Sequence, residues 1–71
     1  MSTKVFSEVT GTVWAIQAVP GQTVAVGETL LVVESMKMEI PVTAPAAGVV
    51  KDVLVGQGDM VEDGQCVVVL G

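Results

Sequence analysis

Histidine is absent from this chain, and cysteine occurs once, at Cys66. A lone thiol closes no internal disulfide and, without histidine, builds no zinc site. The same gaps remove the usual activating base. Ser7, Ser35, the threonines and Cys66 have no imidazole beside them, which excludes serine- or cysteine-type nucleophilic catalysis. Positive charge is scarce too: Lys4, Lys37 and Lys51 are the only basic side chains against eight acidic ones, giving a net charge of −5. Phosphate backbones and anionic lipids are bound by basic patches, so nucleic acid and membrane surfaces drop out as partners. No apolar run approaches the ~20 residues of a transmembrane helix. The opening "MSTKVFSEV" lacks the apolar core of a secretory signal. A cytoplasmic protein is expected, and a reduced Cys66 suits that compartment.

With no disulfide or metal to staple it, a 71-residue chain must be stabilised by apolar burial, and 51% of its residues are hydrophobic. Most are Val, Leu, Ile and Ala; the only aromatics are Phe6 and Trp14. Their arrangement is repetitive. Shifting the sequence by 37 residues aligns Gly11 to Val33 with Gly48 to Leu70 without a gap. Gly11 meets Gly48, Val13 meets Val50, Gly21 meets Gly58, Val24 meets Val61 and Gly27 meets Gly64. Glycines that recur at fixed positions mark recurring backbone geometry. "LLVV" and "VVVL" are short apolar runs bounded by turn residues and read as buried strands. Pro41 belongs on an edge strand or at a bulge, since it donates nothing to a ladder. No helical period is sustained. The expectation is an all-β domain spanning 1–71, with copies at about 5–34 and 42–71. It should form a flattened barrel or sandwich of two four-stranded antiparallel sheets with quasi-twofold symmetry. "APAAG" (Ala44 to Gly48) is expected to join the copies.

Between the copies lies "VVESMKMEIPV", Val32 to Val42. Taking Met36 and Lys37 as a two-residue loop pairs Ser35 with Met38, Glu34 with Glu39, Val33 with Ile40 and Leu31 with Val42. Apolar and charged pairs then alternate, as a half-buried hairpin requires. Two local rules are broken. A type I′ turn needs positive φ at both central residues and favours Asn-Gly, and opposed glutamates repel. Such conflicts tend to gather at functional sites. A solvated loop whose lysine offsets two glutamates is the plain alternative.

"ESMKME" resembles the Ala/Ser-Met-Lys-Met attachment motif of the biotinyl/lipoyl domain family, biotin carboxyl carrier type. The resemblance extends to the gapless repeat, the Gly21–Glu28 and Gly58–Gln65 turn units and the Ala44–Gly48 segment. It implies the flattened β-barrel and assigns covalent biotin to Lys37, added by biotin protein ligase. Glu34, Ser35, Met36 and Met38 are implied as ligase-recognised neighbours, with Met36 and Met38 also flanking the cofactor. The carrier would be a non-catalytic subunit moving a carboxyl group between biotin carboxylase and carboxyltransferase subunits, with an acyl-CoA carboxylase expected. Val19 to Gly27 aligns with Gly56 to Gly64 without insertion, so the "thumb" of many acetyl-CoA carboxylase carriers is missing. With no Pro/Ala-rich tether, the chain is most similar to small stand-alone attachment proteins. Lipoyl domains usually carry Asp-Lys-Ala at the turn, which favours biotin over lipoate here. A lipoyl carrier and an unmodified β-barrel binding module are the competing functions.

An ordinary lysine amine has a pKa of ~10.4, and well under a hundredth is neutral at pH 7. A separate enzyme must therefore supply both the activated acyl group and the base. The remaining polar residues read as structural. Cys66 is expected to be a buried, inert thiol. Trp14 is expected to face outward and cover the sheet. Asp59, Glu62 and Asp63 are read as a solvated turn, not a calcium loop.

Overall fold

Valine-rich runs separated by glycine turns form eight strands: β1 (Thr3–Phe6), β2 (Gly11–Ile16), β3 (Thr23–Val24), β4 (Thr29–Ser35), β5 (Met38–Thr43), β6 (Gly48–Val53), β7 (Met60–Val61) and β8 (Cys66–Leu70). The structure, a computed structural model, describes residues 2–71. Among these there is no helix, and so none long and apolar enough to cross a membrane. The strands form two four-stranded antiparallel sheets, ordered β1-β8-β6-β3 and β5-β4-β2-β7. Replacing each strand of the first order by the strand four places along the chain gives the second. β2 and β6, like β3 and β7, have bounds that differ by 37 residues. Ala44 to Ala47 connects β5 to β6, as Ser7 to Thr10 connects β1 to β2. The expectation that "APAAG" joins the copies is thus corrected. It lies inside the second copy, and the link between β4 and β5 is the Met36–Lys37 turn.

The core lies between the sheets. Leu30, Leu31 and Val33 of β4 and Val67, Val68 and Leu70 of β8 belong to one cluster and are all fully or almost fully buried. Each such side chain contributes about 1.5–3 kcal/mol when withdrawn from water. Neighbouring residues on a regular strand point to opposite faces, yet Leu30–Leu31 and Val67–Val68 are both buried as pairs. Register shifts explain this. The β4–β5 ladder slips between Thr29 and Leu31, and the β1–β8 ladder slips where Phe6 meets Cys66. Each bulge inserts an extra residue and re-aims a side chain inward.

The turns are closed by glycine and by side chains. Gly21, Gly27, Gly58 and Gly64 have φ of 91°, 83°, 90° and 87°, with open space where a Cβ would be. The requirement for glycine there is conformational and not steric. The Gln22 side-chain oxygen accepts from Val19 N–H at 3.0 Å, and the Asp59 carboxylate accepts from Gly56 N–H at 2.7 Å. Glu28 and Gln65 do the same for Ala25 N–H (3.1 Å) and Glu62 N–H (3.0 Å). Asp59 is therefore a turn-closing acceptor, and no three of His, Cys, Asp or Glu cluster as metal ligands among the described residues.

Candidate modification site

The β4–β5 ladder runs as far as Ser35 opposite Met38, with Glu34 opposite Glu39, Val33 opposite Ile40 and Leu31 opposite Val42. Only Met36 and Lys37 lie outside it, as a two-residue turn. Their φ values are 51° and 64°, the only positive φ at non-glycine residues among those described. These are the left-handed dihedrals a type I′ hairpin demands, here met by side chains that adopt them at a cost. The hairpin is rooted in the core through Leu31 and Val33, each 0% exposed. Its tip is bare. Met36 is 92% exposed, Met38 64%, and Lys37 is exposed between them. Lys4 and Lys51 instead lie along β1 and β6. Lys37 is thus the one lysine at a turn apex, with its amine free to receive an acyl chain without displacing any core side chain.

Glu34 and Glu39 sit side by side on the outer face, both exposed, and form the acidic shoulders of the turn. Ser35 is half-buried and donates its hydroxyl to the Thr10 carbonyl at 2.9 Å, a link 25 residues long in sequence. Beyond Glu34 the sheet has a shallow concavity lined by Thr12, Trp14, Ala15, Gln57 and Gly58. Trp14 is 51% exposed there, the outward position expected of it. Pro41 lies on β5, which is an edge strand. Cys66 differs from expectation. It is only partly buried, because it begins β8 at the end of the sheet, and its thiol lies 3.7 Å from the Val68 carbonyl. Among the described residues Ser7 is the buried polar side chain, and its hydroxyl donates to the Val9 carbonyl at 2.7 Å.

Residues 1–70 match the family described as "Biotin-requiring enzyme", the biotin/lipoyl attachment domains. The chain belongs to this family. Among its relatives in the family, it is 37% identical to the "Biotinylated protein TB7.3 homolog" of Mycobacterium leprae over 70 residues, covering 99% of each chain. It is 37% identical over 57 residues to the "Biotin/lipoyl attachment protein" of Bacillus subtilis, covering 80% of this chain and 78% of that one. The crystal structure of Kluyveromyces lactis urea carboxylase contains the same fold, with a TM-score of 0.95 and 37% identity over 100% of this chain. The chain spans only 6% of that enzyme, and 4% or 5% of large curated relatives. The family fold therefore occurs both as a small protein of this length and as a module within much larger chains.

Proposed function

We propose that residues 1–71 act as one biotin carboxyl carrier domain, with biotin held in amide linkage on Lys37. The observation that carries this reading is the isolated lysine at the apex of a core-rooted hairpin, in a family described as biotin-requiring. When attached, biotin supplies the chemistry of carboxyl transfer through its ureido ring. The chain's own residues position it. Leu31 and Val33 anchor the hairpin, the Met36–Lys37 turn directs the amine away from the sheets, and Met36 and Met38 offer soft apolar flanks that adapt to more than one surface. About eleven bonds would separate the Lys37 Cα from the ring, a reach on the order of 14 Å. That span serves two active sites visited in turn, those of a biotin carboxylase and a carboxyltransferase. The chain itself performs no catalysis in this reading, and biotin protein ligase, recognising Glu34, Ser35, Met36 and Met38, attaches the cofactor. An acyl-CoA carboxylase in the cytoplasm is the proposed setting.

Intact mass after incubation with a biotin ligase, biotin and ATP tests the attachment. The wild-type chain gains one biotinyl group, and Lys37→Arg gains none although the positive charge is kept. A gain in Lys37→Arg, or none in the wild type, overturns the assignment. The name of the Bacillus relative gives a lipoyl carrier a specific claim as second reading. Modification by a lipoyl ligase but not by a biotin ligase would select it.

A further inference from the structure

Thr10 holds the Lys37 hairpin from outside it. Its carbonyl accepts the Ser35 hydroxyl at 2.9 Å, at the last residue of β4. Its own hydroxyl accepts the backbone N–H of Asp63 at 3.1 Å, in the turn before β8. The next residue, Gly11, begins β2 hard against β4. A Cβ there would collide with the Glu34 carbonyl oxygen and lie 2.9 Å from Val33 Cγ1. Thr10 is thus a post between the hairpin base and the turn at Glu62 to Gly64.

The internal repeat provides its own comparison. Gly48 corresponds to Gly11, and a Cβ on Gly48 would lie 3.0 Å from the Gly71 carbonyl oxygen, where Gly71 corresponds to Glu34. The close backbone approach therefore belongs to the fold and occurs in both copies. The polar link does not. Thr10 corresponds to Ala47, which has no hydroxyl to accept from Val26, the residue corresponding to Asp63. A hydroxyl contact that the fold does without at Ala47 is present at Thr10, beside the base of the Lys37 hairpin.

This end of the molecule also needs support. Met36 and Lys37 hold left-handed dihedrals, and Glu34 faces Glu39 one pair below the tip. Both features favour fraying of the hairpin end. We propose that Thr10 and Ser35 are positioning residues for the acylation of Lys37. They fix the turn against the β1–β2 connection so that the amine is presented in one orientation. The proposal rests on Lys37 being the attachment site. Neither side chain touches the amine; both act through the hairpin.

Loosening the hairpin lowers the fraction of chains ready to bind the acylating enzyme, and apparent affinity falls by that fraction. Initial rates of biotinylation by a biotin ligase, with the whole chain as varied substrate, read this directly. Ser35→Ala and Thr10→Val should each raise KM about fivefold with kcat unchanged. Ser35→Thr and Thr10→Ser, which restore a hydroxyl, should return KM to near the wild-type value. Amide hydrogen exchange should quicken at Met38 and Ile40, whose N–H groups face β4, in the Ala and Val variants, while Leu31 and Val68 stay protected and show the fold intact. Unchanged KM and unchanged exchange in both variants would overturn the proposal, as would failure of the hydroxyl-bearing variants to rescue. A wild-type chain that is not acylated is a different result. It overturns the attachment reading, and this proposal with it.

Discussion

Met36 and Lys37 adopt φ of 51° and 64°, where an L side chain is crowded against its own carbonyl. With Met36 92% exposed, no burial offsets that cost. Asparagine tolerates this region and is the preferred first residue of a type I′ turn. Met36→Asn should therefore stabilise the chain by about 0.5–1 kcal/mol, read as a higher urea midpoint at unchanged m-value. An unchanged or lower midpoint would show that the turn is not strained at this residue. The residues that make this a poor turn are the ones the carrier reading uses, so a stabilised variant that is a worse ligase substrate would separate the demands of folding from those of recognition.

At the scale of the element, the hairpin register was legible from the sequence because its pattern is locally self-consistent. Buried Val33 and Leu31 alternate with exposed Glu34, and only a turn at Met36–Lys37 keeps both strands in phase. The eight strands were legible because each glycine-bounded segment occurs twice. What the sequence concealed depends on partners distant along the chain. Ser35 finds Thr10 across 25 residues, and nothing in either segment announces it. The lack of a hydroxyl at Ala47, the counterpart of Thr10 in the repeat, marks only the separate contact in which the Thr10 hydroxyl accepts from Asp63 N–H. Asp59 is the exposed turn residue expected, but its acceptor role is hidden in the sequence because it needs the folded turn to bring Gly56 N–H to it. Cys66 is shallower than the general tendency of free cysteines suggests, because it opens β8 and strand ends are open to solvent. Equivalence of the copies is itself testable. Val13 and Val50 occupy corresponding places in β2 and β6, and each is 1% exposed. Val13→Ala and Val50→Ala should each cost about 2 kcal/mol from lost burial and the cavity left behind, agreeing within about 0.5 kcal/mol in urea unfolding. A clear inequality would mean that the two halves of the core are packed unequally despite the repeat.

At the scale of the whole molecule, the geometry separates the Lys37 turn from the outer ends of the terminal strands β1 and β8. The protein measures 33 × 17 × 17 Å. β8 starts beside the hairpin end, where Gln65 O accepts from Ser7 N–H and Asp63 N–H donates to Thr10, the partner of Ser35. It runs away from there to Leu70, which pairs with Thr3 at the far end. The two terminal strands thus lie side by side, with their outer ends directed away from Lys37. A polypeptide continued from either end emerges clear of the hairpin, which accounts physically for the same fold serving as a protein of this length and as 6% of a urea carboxylase chain. Fusing a folded, inert protein after Gly71 should therefore leave the rate of Lys37 biotinylation within about twofold of the unfused chain, since only orientation and diffusion of the encounter are altered. Inserting two residues between Met36 and Lys37 should abolish acylation while preserving the fold, because surface loops absorb insertions at small thermodynamic cost but the amine no longer sits at a defined turn position. Comparable rates for the insertion variant and the wild type would show that the ligase reads a flexible lysine-containing segment, and that the rigid hairpin has no part in recognition.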